Sequence, residues 1–231
     1  MIIGFDAKRA VNNFTGLGNY SRLVIDALAS ALPDDRLLLY APRLRHSSRL
    51  APVLAHGNVE MRLPRGRVWP RVSGVWRVQR GITSDVIADG VGLFHGLSNE
   101  LPLDISRAGI PTVVTIHDLI FKHFTRGYRR ADRLIYDFKF RRAAETATRV
   151  IAVSEATRRD IISSYGIAPD KIEVVYQGCD AGFLRPVTDC EIAAVRCKYS
   201  LPERYIVSVG TIEPRKNQML TLAALPQLPH D

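Results

Sequence analysis

The first candidates for chemistry are two ionisable residues that end an apolar run. Pro111-Thr112-Val113-Val114-Thr115-Ile116 is a short β-branched stretch, and His117-Asp118 follows it directly. A run of that composition reads as a strand of a parallel sheet, buried on both faces. His117 and Asp118 then stand at its carboxyl edge, where the loops of an open α/β sheet form a crevice for ligands. Histidine titrates near neutral pH and is a natural member of a catalytic centre there. Taken alone, His117 reads first as a strand-end histidine that bonds a backbone carbonyl.

Two further places suit phosphate. Gly16-Leu17-Gly18 follows a strand and opens a helix, so backbone N–H groups and the helix N-terminus can approach an anion that a β-carbon would keep away. The stretch is not a dinucleotide fingerprint, because Ser21 stands where the third glycine belongs and the second strand ends at Tyr40 without an acidic residue. It is not a P-loop either, since no Gly-Lys-Ser/Thr follows. Glu213-Pro214-Arg215-Lys216-Asn217 projects two cations at another strand-to-helix junction, where Arg215 and Lys216 could grip a diphosphate. An ordinary turn and a solvated charged turn are the plain alternatives.

From Arg62 to Arg80 six arginines alternate with Trp69 and Trp76, a basic aromatic segment suited to an anionic membrane surface or an acceptor. Trp69, Trp76 and Arg77 are the contacts expected there. Between Tyr128 and Arg142, Ala131, Leu134, Ile135 and Phe138 share one helical face and Arg129, Arg130, Arg133 and Arg141 another. That pattern predicts an apolar face on the sheet and arginines in water. The six histidines include no helical i, i+4 pair for a metal, and no Gly-x-Ser-x-Gly occurs.

The elements that must position these groups alternate along the chain. Strands are predicted at Ile2–Asp6, Leu37–Tyr40, Val59–Leu63, Gly92–His95, the His117 run, Val150–Ser154 and Ile172–Tyr176. Helices are predicted at Leu17–Leu32, capped by Thr15 or Asn13, at Tyr128–Ala147, and at Glu155–Tyr165 with Ser154 as cap. The alternation predicts an α/β fold, a Rossmann-like doubly wound parallel sheet. It covers residues 1–185. A polar linker at 186–200 holds one helix, and residues 201–231 begin a second domain with a strand at Tyr205–Gly210 and a helix. One strand and one helix bury too little to stand alone, so that domain is expected to be truncated.

The bulk composition is that of a folded protein: 231 residues, 46% hydrophobic, 24% charged. No apolar run reaches membrane-spanning length, and Asp6 lies where a secretory signal would be basic. A cytoplasmic location is expected, with three reduced cysteines. The net charge of +9 predicts attraction to anions such as nucleotide phosphates or acidic lipid. Nucleic acid is disfavoured, because aromatics are sparse and no nucleic-acid motif is present.

In this order the signals resemble the nucleotide-sugar-dependent glycosyltransferases of family 4, which have the two-domain GT-B architecture, and among them the mannosyltransferases. The likeness is carried by Thr15-Gly16-Leu17-Gly18-Asn19-Tyr20, Val91-Gly92-Leu93-Phe94-His95-Gly96, Thr115-Ile116-His117-Asp118-Leu119, Ile151-Ala152-Val153-Ser154-Glu155, Val174-Val175-Tyr176-Gln177-Gly178 and Val209-Gly210-Thr211-Ile212-Glu213-Pro214-Arg215-Lys216-Asn217. The resemblance implies an acceptor-side first domain and a donor-holding second domain. It implies that His117, with Asp118, faces the sugar at the reaction centre. Gly16 and Gly18 would lie near the donor diphosphate, and Arg215 and Lys216 would neutralise it as it leaves. Asn19 and Tyr20 join the acceptor-side contacts. Transfer with retention is implied, with no metal and no cofactor besides the nucleotide-diphosphate sugar, which is a substrate. The implied setting is cell-surface polysaccharide synthesis on a glycan or lipid-linked acceptor, with the enzyme peripheral at the inner membrane face.

Two departures qualify the match. Thr211 stands where many relatives have a phosphate-contacting arginine. The paired-glutamate motif of the donor site belongs to the part of the second domain beyond these residues, so the 231-residue chain is expected to fold its first domain and to lack transferase activity. The competing expectation is a non-catalytic binding module that contacts anionic lipid or glycan through its basic face.

Overall fold

Short β-branched and leucine-rich runs separated by helices have one economical arrangement, a parallel sheet whose crossovers cover both faces. The computed structural model describes residues 1–45, 47–65, 76–77 and 81–227. Its strands are β1 (Ile2–Asp6), β2 (Arg36–Tyr40), β3 (Val59–Arg62), β4 (Leu93–Gly96), β5 (Thr112–Ile116), β6 (Arg149–Ala152) and β7 (Ile172–Val174). They lie in the order β3-β2-β1-β4-β5-β6-β7, every neighbouring pair parallel. The chain winds outward from β1 to β3, then returns to the other side of β1 with β4. That reversal is the topological switch point, and a crevice opens there at the carboxyl ends of the strands.

The helices among the described residues are α1 (Lys8–Asn12), α2 (Gly16–Ala31), α3 (Ala51–Leu54), α4 (Gly81–Ala88), α5 (Ile120–His123), α6 (Arg130–Thr146), α7 (Glu155–Tyr165), α8 (Asp189–Lys198) and α9 (Gln218–Ala224). Side chains alternate across a strand, so β2 feeds both sides of the sheet: Leu38 and Tyr40 enter one apolar cluster, Leu37 and Leu39 the other. Ser154 caps α7 as expected, accepting the Thr157 N–H at 3.1 Å. At α2 the cap is Asn13 and not Thr15: the Asn13 Oδ1 accepts the N–H groups of Thr15 and Gly18.

Four expectations need correction. Val11–Tyr20, expected as a loop leading into the first long helix, starts inside the short helix α1. The Tyr205–Gly210 run pairs with no strand among the described residues and stays exposed, Val207 at 65% and Val209 at 93%. A β-run without a neighbouring ladder has nowhere to place its N–H groups except water. The third concerns α6, whose sheet-facing residues are Phe140, Ala143 and Ala144, while Leu134, Ile135 and Phe138 face solvent. The fourth is Trp76, fully buried in the larger apolar cluster.

Candidate functional site

The crevice is built where three loops meet. The first runs from β1 through α1 into α2, and its tightest point is Gly18. A β-carbon at Gly18 would lie 1.8 Å from the Asn13 carbonyl oxygen, whereas one at Gly16 would meet nothing within 4 Å. Gly18 is therefore required by packing, and Gly16 leaves open space at the N-terminus of a sixteen-residue helix, the positive end of its dipole. The second loop leaves β4 and turns sharply. A β-carbon on Gly96 would meet the Glu100 carbonyl oxygen at 2.2 Å, and Asn99 adopts φ 61°, a left-handed conformation that asparagine tolerates. The third loop leaves β7 and carries Gln177 and Gly178.

His117 is fixed by all three sides of this junction. Its backbone N–H donates to the Asn99 Oδ1 at 2.7 Å, and its carbonyl accepts from the Thr157 hydroxyl at 3.1 Å. The ring Nε2 lies 3.0 Å from the Leu97 carbonyl oxygen, which can only accept, so Nε2 carries the proton. The ring Nδ1 lies 3.0 Å from the Gln177 Nε2 and accepts from it. Tyr20 packs edge-on against the ring, centroids 4.6 Å apart. Burial pushes the His117 pKa below its ordinary value; the Leu97 bond and the Asp118 charge pull the other way, and the Arg9 charge lowers it further. With both nitrogens engaged by protein groups, the neutral imidazole is fixed in place and is not poised to take a proton.

Beneath it lies a hydroxyl relay. The Thr115 hydroxyl bonds the Tyr20 hydroxyl at 3.1 Å and the His95 Nε2 at 2.9 Å. Burial depresses the His95 pKa to about 4, and it raises that of the Tyr20 phenol. An open cleft of ≈ 730 Å³ runs along this wall, lined by Gly16, Asn19 and Tyr20 from α2, Arg49 and Pro52 from the α3 region, and Gln177 with Gly178. Arg22 supports the rim. Its guanidinium donates to the Ala10 and Asn13 carbonyls and to the Asn19 Oδ1.

The structure thus gathers Gly16, Gly18, Asn19, Tyr20 and His117 in one place. Asp118 is exposed and caps α5, accepting the Ile120 N–H at 3.1 Å; it acts on the imidazole through charge and not through a bond. Arg215 pairs with Glu213 and Lys216 is exposed. Their turn lies within electrostatic reach of Tyr128, which also feels Asp118.

Surface contact is withdrawn for two residues. Trp76 donates its indole N–H to the Asp85 Oδ2 at 2.8 Å inside the core. Arg77 is clamped between Asp6 at 2.7 Å and Glu100 at 2.6 Å, its side chain only 11% exposed, with Lys139 3.5 Å from Glu100. Burial raises the Glu100 pKa, but the charges of Arg77 and Lys139 outweigh it and hold the carboxyl below its usual range. An amphipathic segment read without its partners shows the same composition whether it faces lipid or plugs a sheet. Trp69 lies outside the described residues. Among the described residues no group of three His, Cys, Asp or Glu side chains is placed to hold a metal. Gln177 stands in one of the motifs that carry the family resemblance, but the sequence assigns it no role, because its partner is distant in the chain and only the β5–β6–β7 adjacency brings them together.

A doubly wound parallel sheet with a glycine-backed helix N-terminus after β1 and a fixed imidazole at the end of β5 is the Rossmann-like domain of the GT-B class. The model of Glycosyltransferase Family 4 matches residues 16–183, and the chain belongs to that family. It is 31% identical over 140 residues to the O-antigen chain mannosyltransferase B of Escherichia coli, covering 59% of this chain and 35% of that protein. To a serotype-specific mannosyltransferase of the same species it is 29% identical over 144 residues, covering 60% of this chain and 18% of that one. The chain spans about a third or less of the length of these relatives. In fold it is similar to Anabaena HepE, solved with UDP and glucose, at a TM-score of 0.64 and 18% identity over 99% of this chain and 58% of that one.

Proposed function

We propose that the chain forms the acceptor side of a retaining glycosyltransferase that moves a sugar, mannose by analogy with the relatives, from a nucleoside-diphosphate donor to a lipid-linked glycan. The setting is cell-surface polysaccharide synthesis at the cytoplasmic face of a membrane. The observation that carries the reading is the junction itself: Gly16 at the α2 N-terminus, Tyr20 and Gln177 line one cleft, and the His117 imidazole stands behind it, edge-on to Tyr20 and bonded to Gln177, all within the family-matched segment.

The chemistry follows from that junction. As the bond from the anomeric carbon to the diphosphate oxygen breaks, negative charge grows on the leaving group, and the α2 dipole with Arg215 and Lys216 stabilises it. The acceptor hydroxyl forms the new bond on the same face and passes its proton to the departing phosphate oxygen, so configuration is kept. His117 is neutral and engaged at both nitrogens; in this reading it exchanges the Leu97 or Gln177 bond for one to the sugar, and positions that sugar without serving as base. The residues from 201 onward belong, in this reading, to the donor-holding domain, and the 231 residues alone do not transfer sugar.

The test joins residues 1–185 to the donor domain of the E. coli mannosyltransferase and measures mannose transfer to a polyprenyl-diphosphate-linked glycan. Transfer is expected from the chimera and not from the 231-residue chain. His117→Ala should cut turnover roughly a hundredfold with donor affinity nearly unchanged. Equal turnover in that variant removes His117 from the centre. Glycan binding without transfer by a folded chimera favours a binding module.

A further inference from the structure

The outward face of α6 is apolar where a surface helix is ordinarily polar. Leu134 is 72% exposed, Phe138 59% and Ile135 50%. With Ala131 they form a stripe at helical spacing, set opposite the Phe140, Ala143 and Ala144 stripe that packs on the sheet. Cations frame it. Arg129 and Arg130 stand at the helix start and Arg142 on the stripe itself, all three exposed, and none forms an ion pair among the described residues. Three acids lie on the same helix: Asp137 is taken up by Lys122 at 2.6 Å and by Arg141 at 3.9 Å, while Asp132 in the first turn and Glu145 in the last are exposed, so that the six cations of residues 129–146 outnumber three carboxylates.

We propose that this face of α6 docks the protein on an anionic bilayer, with Leu134, Ile135 and Phe138 immersed at the headgroup boundary and Arg129, Arg130 and Arg142 on lipid phosphates. A basic helix with an apolar stripe lies in the interface plane, held by buried apolar area and by attraction to acidic headgroups. A second copy of the chain suits the face less well, because a two-fold contact sets the same patch against itself and brings like charges together. The helix begins two residues after Tyr128, on the segment of chain that follows the His117-Asp118 turn. Membrane contact thereby moves from Trp76 and Arg77, which are buried, to a helix whose apolar side has no protein partner among the described residues. The inference stands apart from the transferase reading, since vesicle binding needs no nucleotide sugar.

The experiment is co-sedimentation of the 231-residue chain with phosphatidylcholine vesicles, with and without phosphatidylglycerol, at low and high salt. Binding is expected only with phosphatidylglycerol, and it weakens as salt screens the arginines. The double variant L134S/F138S and the triple variant R129Q/R130Q/R142Q should each lower the partition coefficient by about tenfold or more. All substituted side chains are exposed, so circular dichroism should show native helix content in both. Absence of binding to the acidic vesicles overturns the proposal, as does wild-type binding by the two variants. Dimerisation through Leu134 and Phe138 without vesicle uptake, seen by sedimentation velocity, gives the face to a second copy and overturns it equally.

Discussion

His117 offers no idle nitrogen: Nε2 donates to the Leu97 carbonyl and Nδ1 accepts from Gln177. Gln177 thus selects the tautomer, and replacing it should show this without any activity assay. In Gln177→Glu a carboxylate would accept from a protonated Nδ1, so the imidazolium gains a partner that the neutral ring lacks. The His117 pKa should rise from its lowered position, read from ring nitrogen shifts by NMR; the same titration in both proteins would remove Gln177 from this role. His95 carries the clearest pH signature. Its folded pKa is near 4, whereas in an unfolded chain it is about 6.5. Between those values the unfolded state binds a proton that the native state refuses, so stability is complete above about pH 6.5 and falls as pH drops toward 4, by roughly 3 kcal/mol at most. Urea titrations at pH 7, 5 and 4 should show the decline, and His95→Gln should flatten it. At this scale the sequence revealed His117 through its place after a β-branched run, but not its bonding partners, which come from other strands.

Elements explain which glycines matter. Gly18→Ala drives a β-carbon into the Asn13 backbone, which cannot move aside as a flexible side chain can, so a loss of about 1–3 kcal/mol is expected in urea unfolding. Gly16→Ala meets open space and gains helix propensity of up to about 1 kcal/mol. If Gly16 serves a diphosphate, Gly16→Ala should weaken nucleotide binding while leaving the protein as stable or more so, and equal effects of the two substitutions would refute this division. The strand-and-helix alternation was legible because buried parallel strands are continuous apolar runs. The packed side of α6 was not, since periodicity reports that a helix has two faces without saying which one the sheet takes. Trp76 misled for a similar reason: its indole N–H satisfies Asp85 inside the core, and nothing local to an Arg- and Trp-rich segment distinguishes that from a wet surface.

For the whole molecule, the sheet ends at Val174 and its two apolar clusters include no residue beyond that strand. Ending the chain after Tyr199 should therefore leave the thermal midpoint within a few degrees of the 231-residue value, about 1 kcal/mol or less; a large drop by calorimetry would show that residues 200–231 pack on the domain. Doubly wound architecture was readable from element order. The behaviour of residues 205–210 was not, because a strand exists only through its neighbours and sequence composition does not supply them.

The backbone amide of His117 is bonded to a side chain, the Asn99 Oδ1, and not to a ladder partner. Its hydrogen exchange is thus decoupled from that of the strand it ends. Amides paired within β5 should exchange only when the sheet opens, whereas the His117 amide needs only the 97–99 turn to part from β5, to which the Asn99 N–H ties it through the Thr115 carbonyl at 2.8 Å. One proton in this protein can serve as a clock for the motion of the crevice, ticking while the rest of the sheet stands still.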